Sequence, residues 1–170
     1  MTIRSLILFF ALLLVPTSAI AQNAARTRRV AIVVGANAAA PGRRPLRYAH
    51  EDAREVAEVL RSAGGFDSRD VRVLLDPSPR AILDALDHQI ATLTGVAEET
   101  MLVFYYSGHA DERSLYPNGR RLDFEDLRMR LDNEAVSVRI GIIDTCRGGG
   151  WTGTRGLSEA EAFEVNVPLD

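Results

Sequence analysis

The sequence predicts an α/β protein: a three-layer α/β/α sandwich with a mostly parallel sheet between its helices. Three observations predict it. Short apolar runs recur at Val30, Val71, Met101 and Val138, of the kind that suits strands buried on both faces. Between them lie longer segments whose apolar residues repeat at the helical period. The two kinds of segment alternate, and alternation implies right-handed crossovers and a sheet covered on both sides.

The first residues read as a targeting segment. Arg4 supplies a positive charge, and Leu6 to Val15 is an apolar stretch too short to span a bilayer comfortably. Pro16 breaks it, and Ala19-Ile20-Ala21 offers a small-x-small cleavage pattern. Residues 1–21 are therefore expected to be a signal peptide. The protein would be exported, periplasmic or secreted, with no membrane attachment after cleavage; an uncleaved anchor is the competing reading. Residues 22–28 form a polar linker, and residues 29–170 suffice for one domain of ordinary size.

Val30 to Gly35 is the first expected strand, and Ala36 to Arg44 a Gly/Pro loop. From Tyr48 a helix begins, with Ala53, Val56, Ala57, Leu60 and Ala63 on one face and Gly64-Gly65 as its stop. Val71 to Leu75 is the second strand. Ser78-Pro79 provides an N-cap followed by proline at the first helical position, and Ile82, Leu83, Leu86, Ile90 and Leu93 form the stripe of that helix. Met101 to Tyr106 is the third strand. Pro117-Asn118-Gly119 signals a turn, so Ser114 to Leu122 is expected to be a small hairpin on the sheet's edge. Asp123 is placed to cap a third helix with Phe124, Leu127 and Leu131 inward, and Val138 to Ile143 is the fourth strand. Beyond it, Arg147 to Gly156 is glycine-rich and Phe163 to Val167 alternates like a strand.

The formal net charge is −3, and no basic stripe exceeds a solvated surface, which argues against nucleic acid as a partner. No His/Cys/Asp cluster has metal-ligand spacing, so no metal site is expected. His50, opening a helix, and His88, on a helix's polar side, read as surface residues.

The chemistry concentrates at His109 and Cys146. Each follows an apolar strand, and in parallel sheets sites lie beyond the carboxyl ends of the strands. Cys146 is the only cysteine. In an exported protein a structural cysteine usually has a partner, and this one has none in the chain. Alone, each residue would pass for a buried hydrophobe or a satisfied structural histidine. Together, on consecutive strands and flanked by glycine, they read as nucleophile and general base. The backbone amides of Cys146 and Ala110 are the candidate oxyanion donors. Gly148-Gly149-Gly150 lets substrate backbone approach without side-chain obstruction.

Three segments carry a family resemblance. Tyr105-Tyr106-Ser107-Gly108-His109 resembles the histidine motif of the caspase and metacaspase family, and Asp144-Thr145-Cys146-Arg147-Gly148-Gly149 resembles its cysteine motif. Leu46 to Ala53 resembles the segment opening the family's first helix, where an Asp-Ala pair is usual. From Arg29 onward the chain is similar to the catalytic large-subunit portion of that family, in its bacterial caspase-like branch. The resemblance implies a His109/Cys146 dyad that cuts peptide bonds in peptide or protein substrates, without a cofactor; a calcium dependence stays open. Ala110 and Gly148 stand where the family usually has Gly and Ser, and His109 and Cys146 are closer in sequence than the caspase guide spacing of about 50 residues. Further strands and helices follow the cysteine in the family, so the domain is expected to be incomplete at its C-terminus: either the chain is a fragment or truncated gene product, or a separate small subunit exists. The expected partners are that small-subunit segment or a second copy in a homodimer. Animal caspases carry Gln at the position of Asp144, in a pocket for aspartate; a carboxylate there would instead attract Arg or Lys, as in metacaspases. Asp111 is the candidate second carboxylate. The alternative is a catalytically inactive or truncated caspase-like interaction or regulatory module.

Overall fold

The computed structural model describes residues 27–95 and 99–145. The expected signal peptide, most of the linker, Cys146, the glycine-rich segment and the alternating segment at Phe163 to Val167 lie outside the described residues. Four parallel strands form the sheet: β1 (Arg28–Gly35), β2 (Val71–Leu75), β3 (Thr100–Ser107) and, numbered by chain order, β6 (Val138–Asp144). Their spatial order is β2-β1-β3-β6, so the two strands expected to carry the site pair directly with each other.

The continuous apolar runs are explained by the two faces they serve. Side chains alternate along a strand. Val30, Ile32 and Val34 of β1, with Leu102, Phe104 and Tyr106 of β3, share one core with Ile82, Leu86 and Leu127. Those three residues belong to α2 (Pro79–Ala91) and α3 (Phe124–Leu131). Ala31, Val33, Val103 and Tyr105 face the other way and meet Ala53 and Ala57 of α1 (Ala49–Ser62). Each fully buried Val, Leu or Ile contributes about 1.5–3 kcal/mol relative to exposure. Both helical layers are present, and the protein is an α/β/α sandwich.

A local signal explains the start of α2. The Ser78 hydroxyl accepts the Ala81 amide at 3.2 Å, with Pro79 in the first turn of α2. Two expectations are corrected. Asp123 does not cap α3 through its side chain; its Oδ1 accepts from the Ser114 hydroxyl at 2.6 Å and from Arg121 Nε. The hairpin is not joined to the main sheet. β4 (Ser114–Leu115) and β5 (Leu122–Asp123) form a separate antiparallel pair, because Leu115 and Leu122 bury themselves in the core beneath α2 and α3.

Gly35 ends β1 where α1 begins to cross it. A Cβ at Gly35 would lie 2.3 Å from the Ala49 carbonyl oxygen and 2.9 Å from the Ala53 Cβ. Its absence seats the first turn of α1 directly over the carboxyl end of the sheet. α1 packs over β1, β2 and β3. On β6, Val138, Ile140 and Ile142 remain exposed among the described residues.

Candidate functional site

The site is built where β3 and β6 end together. Their last register pair is Ser107 with Asp144, and the Gly108 amide still reaches the Asp144 carbonyl at 3.4 Å. Gly108 then turns the chain over the phenol of Tyr106. A Cβ there would fall 2.5 Å from the Tyr106 hydroxyl oxygen and 2.9 Å from the Ala36 Cβ, so only glycine fits.

That turn delivers His109, half-buried, into a cavity of about 370 Å³. Its Nε2 lies 2.7 Å from the Arg44 carbonyl oxygen, in the loop after β1. A carbonyl only accepts, so Nε2 carries a proton in this contact, and Nδ1 has no partner among the described residues. The same loop clamps the next residue, for the Arg43 guanidinium donates to the Ala110 carbonyl at 2.7 Å. Ala110 also opposes Leu115 in an isolated antiparallel bridge. The bridge's bonds run from the Tyr116 amide to the His109 carbonyl and from the Asp111 amide to the Ser114 carbonyl. The Ala110 N–H is therefore left out of the bridge.

Asp144 lines the same cavity as His109. So does Asp52, from the first turn of α1, which the sequence reading had not singled out as a site residue. The buried Ser107 hydroxyl donates to Asp52 Oδ2 at 2.9 Å. The Tyr105 hydroxyl donates to Asp144 Oδ2 at 3.3 Å. Burial pushes the Tyr105 phenol up to about 12, with the charges of Asp144 and then Asp52 adding to the rise. Two carboxylates thus bear on one cavity, each oriented by a hydroxyl from β3. The only sequence trace of Asp52 was its place in the Glu51-Asp52-Ala53 segment; its pairing with Ser107 joins α1 to β3, 55 residues apart in the chain.

Asp111 does not join them. Its Oδ1 accepts the amides of Arg113 and Ser114, both at 2.8 Å, and its Oδ2 accepts the Tyr116 hydroxyl at 2.6 Å. The Tyr116 bond first, and the Arg113 amide next, hold its carboxyl below the usual range. Asp111 closes its own turn and is absent from the cavity's lining, where the carboxylate beside Asp144 is Asp52. His50 is likewise no free surface residue, since its Nε2 lies 2.8 Å from Asp76 Oδ2; His88 is exposed. Cys146 lies outside the described residues, directly after Thr145, which lines the cavity. Among the described residues no group of three or more His, Cys, Asp or Glu is arranged to hold a metal.

The profile of the Caspase domain family matches residues 28–166. Among solved structures, the chain is similar to caspase-1 from Spodoptera frugiperda, with a TM-score of 0.57 and 14% sequence identity. The match covers 84% of this chain and 56% of that one, so the chain spans little more than half of the insect enzyme's length. A search among curated proteins finds no match.

Proposed function

Because the chain belongs to the caspase-domain family, we propose that it is a cysteine endopeptidase in which Cys146 is the nucleophile, His109 the general base, and Arg or Lys the preferred residue before the scissile bond. The observation that carries this reading is the single cavity shared by His109, Asp52 and Asp144 at the carboxyl edge of the sheet. His109 and Cys146 each follow the Ser107–Asp144 register pair by the same number of residues, which supports their working together.

In this mechanism Nδ1 of His109 takes the thiol proton, and the thiolate attacks the scissile carbonyl carbon. The resulting oxyanion accepts from the backbone amides of Ala110 and Cys146. The Ala110 N–H suits the task because the hairpin bridge leaves it unused. The imidazolium, steadied by its bond to the Arg44 carbonyl, returns the proton to the departing amine as the tetrahedral intermediate collapses to a thioester. Water, deprotonated by the same Nδ1, then releases the acid and the thiol. Asp144 and Asp52 would hold the basic side chain by charge-assisted hydrogen bonds.

Cys146→Ala and His109→Ala should each abolish cleavage of Arg-containing peptides without lowering the melting temperature by more than a few degrees. Retained turnover in Cys146→Ala sinks the mechanism. The second reading is a non-catalytic caspase-like interaction or regulatory module. Titration with an electrophilic Arg-peptide separates the two, since only a competent dyad is labelled stoichiometrically at Cys146. Export is a further proposal, tested by finding Gln22 at the mature N-terminus.

A further inference from the structure

Tyr106 is a core residue with an unusual second contact. It lies on β3 with its ring in the core beneath α2 and α3, fully buried. A buried phenol needs a hydrogen-bond partner. Here the hydroxyl donates, at 2.9 Å, to the backbone carbonyl of His109, the residue read above as the base. The Tyr116 amide donates to the same carbonyl at 2.8 Å. Sheet and hairpin thus meet on one oxygen. Burial holds the Tyr106 phenol far above its ordinary ionisation range, so it remains a donor at any working pH. Gly108 is moulded to that hydroxyl, as the 2.5 Å approach of a hypothetical Cβ shows.

His109 is therefore held at two points. Its backbone is fixed from below by Tyr106, and its ring is fixed at Nε2 by the Arg44 carbonyl. The two anchors together define where Nδ1 points. Removing the lower one frees the turn at Ser107-Gly108-His109 to shift, and the ring would then lose its alignment on Arg44. We infer that Tyr106 is a positioning residue for His109, whose hydroxyl sets the turn so that the imidazole stays in the Nε2–H form with Nδ1 free. The effect on catalysis rests on the peptidase reading above; the effect on the imidazole does not.

The test is Tyr106→Phe in the full chain, read first by the side-chain nitrogen resonances of histidine above neutral pH. Only three histidines are present, so His50 and His88 serve as internal references. In the parent, His109 should show a single protonated Nε2 and an unprotonated Nδ1. In Tyr106→Phe the two forms should mix, with His50 and His88 unchanged. A volume-matched 4-fluorophenylalanine at position 106, which fills the space without donating, carries the same expectation and replaces Phe if that variant folds poorly. 4-Aminophenylalanine, which restores a donor, should restore the parent pattern. A merely structural Tyr106 would lower the melting temperature and leave the His109 pattern intact, and that result overturns the proposal. Where the parent cleaves Arg-peptides, Tyr106→Phe should lower kcat about tenfold with KM unchanged, and the 4-amino residue should recover it. An inactive parent with the nitrogen pattern shifting as stated would remove the peptidase reading and keep the positioning role.

Discussion

The two carboxylates of the cavity make a graded prediction about substrate charge. Asp144→Asn keeps the shape and an accepting oxygen for the Tyr105 hydroxyl but removes the charge. A hydrogen bond to a charged group is worth about 1.5–3 kcal/mol. Asp144 is exposed at the end of β6, so solvent screening places it at the lower end, about 1.5 kcal/mol, which is about tenfold in kcat/KM. Asp52 is half-buried, in the first turn of α1, and aimed by Ser107 at 2.9 Å. Its replacement by Asn belongs near the upper end, about 3 kcal/mol or roughly a hundredfold. Both carboxylates would act on one guanidinium, so the double variant should lose less than the product of the single losses. The assay is kcat/KM on paired fluorogenic peptides with Arg or citrulline before the scissile bond, citrulline being a neutral near-isostere. The Arg-to-citrulline ratio should fall by these factors while citrulline turnover stays constant. Equal losses on both peptides, or an unchanged ratio, would refute the charge argument; a parent preference for Asp would show the polarity to be reversed.

Gly35→Ala drives a Cβ against the Ala49 carbonyl and should cost about 1–3 kcal/mol of stability, read as a drop of several degrees in melting temperature. It should also weaken Arg selectivity, because the displaced helix carries Asp52. Asp111, with its carboxyl held low by Tyr116 and the Arg113 amide, stabilises its turn above the unfolded-state value of 3.8 and loses that contribution as pH falls through its lower folded value. Asp111→Asn should therefore flatten the acid limb of the stability curve while leaving Arg-to-citrulline selectivity unchanged; a selectivity loss would return Asp111 to the substrate site.

Features that depend on local periodicity are the ones legible in the sequence. Alternating strands and helices, the Ser78-Pro79 helix start and the inward face of Phe124, Leu127 and Leu131 were legible because each is a property of a few consecutive residues. So was His109 as a candidate, because a histidine after an apolar run and a glycine is a local pattern. The tertiary structure alone decided which groups meet. Asp52 reaches Ser107 only because Gly35 lets α1 settle on the end of β1, next to the strand that carries Ser107. The Arg44 carbonyl holds the imidazole only because the loop after β1 folds back over the end of β3. Asp111, close to His109 in sequence, is lost to the cavity because nearby amides and the Tyr116 hydroxyl claim both its oxygens. Asp123 failed as a cap for the same reason, drawn instead to Ser114 and Arg121. For Asp52 and His109 the partner is set by strand order and register, which no window of sequence contains. For Asp111 and Asp123 the donors lie a few residues away, and the fold of the hairpin decides which of them each carboxylate meets.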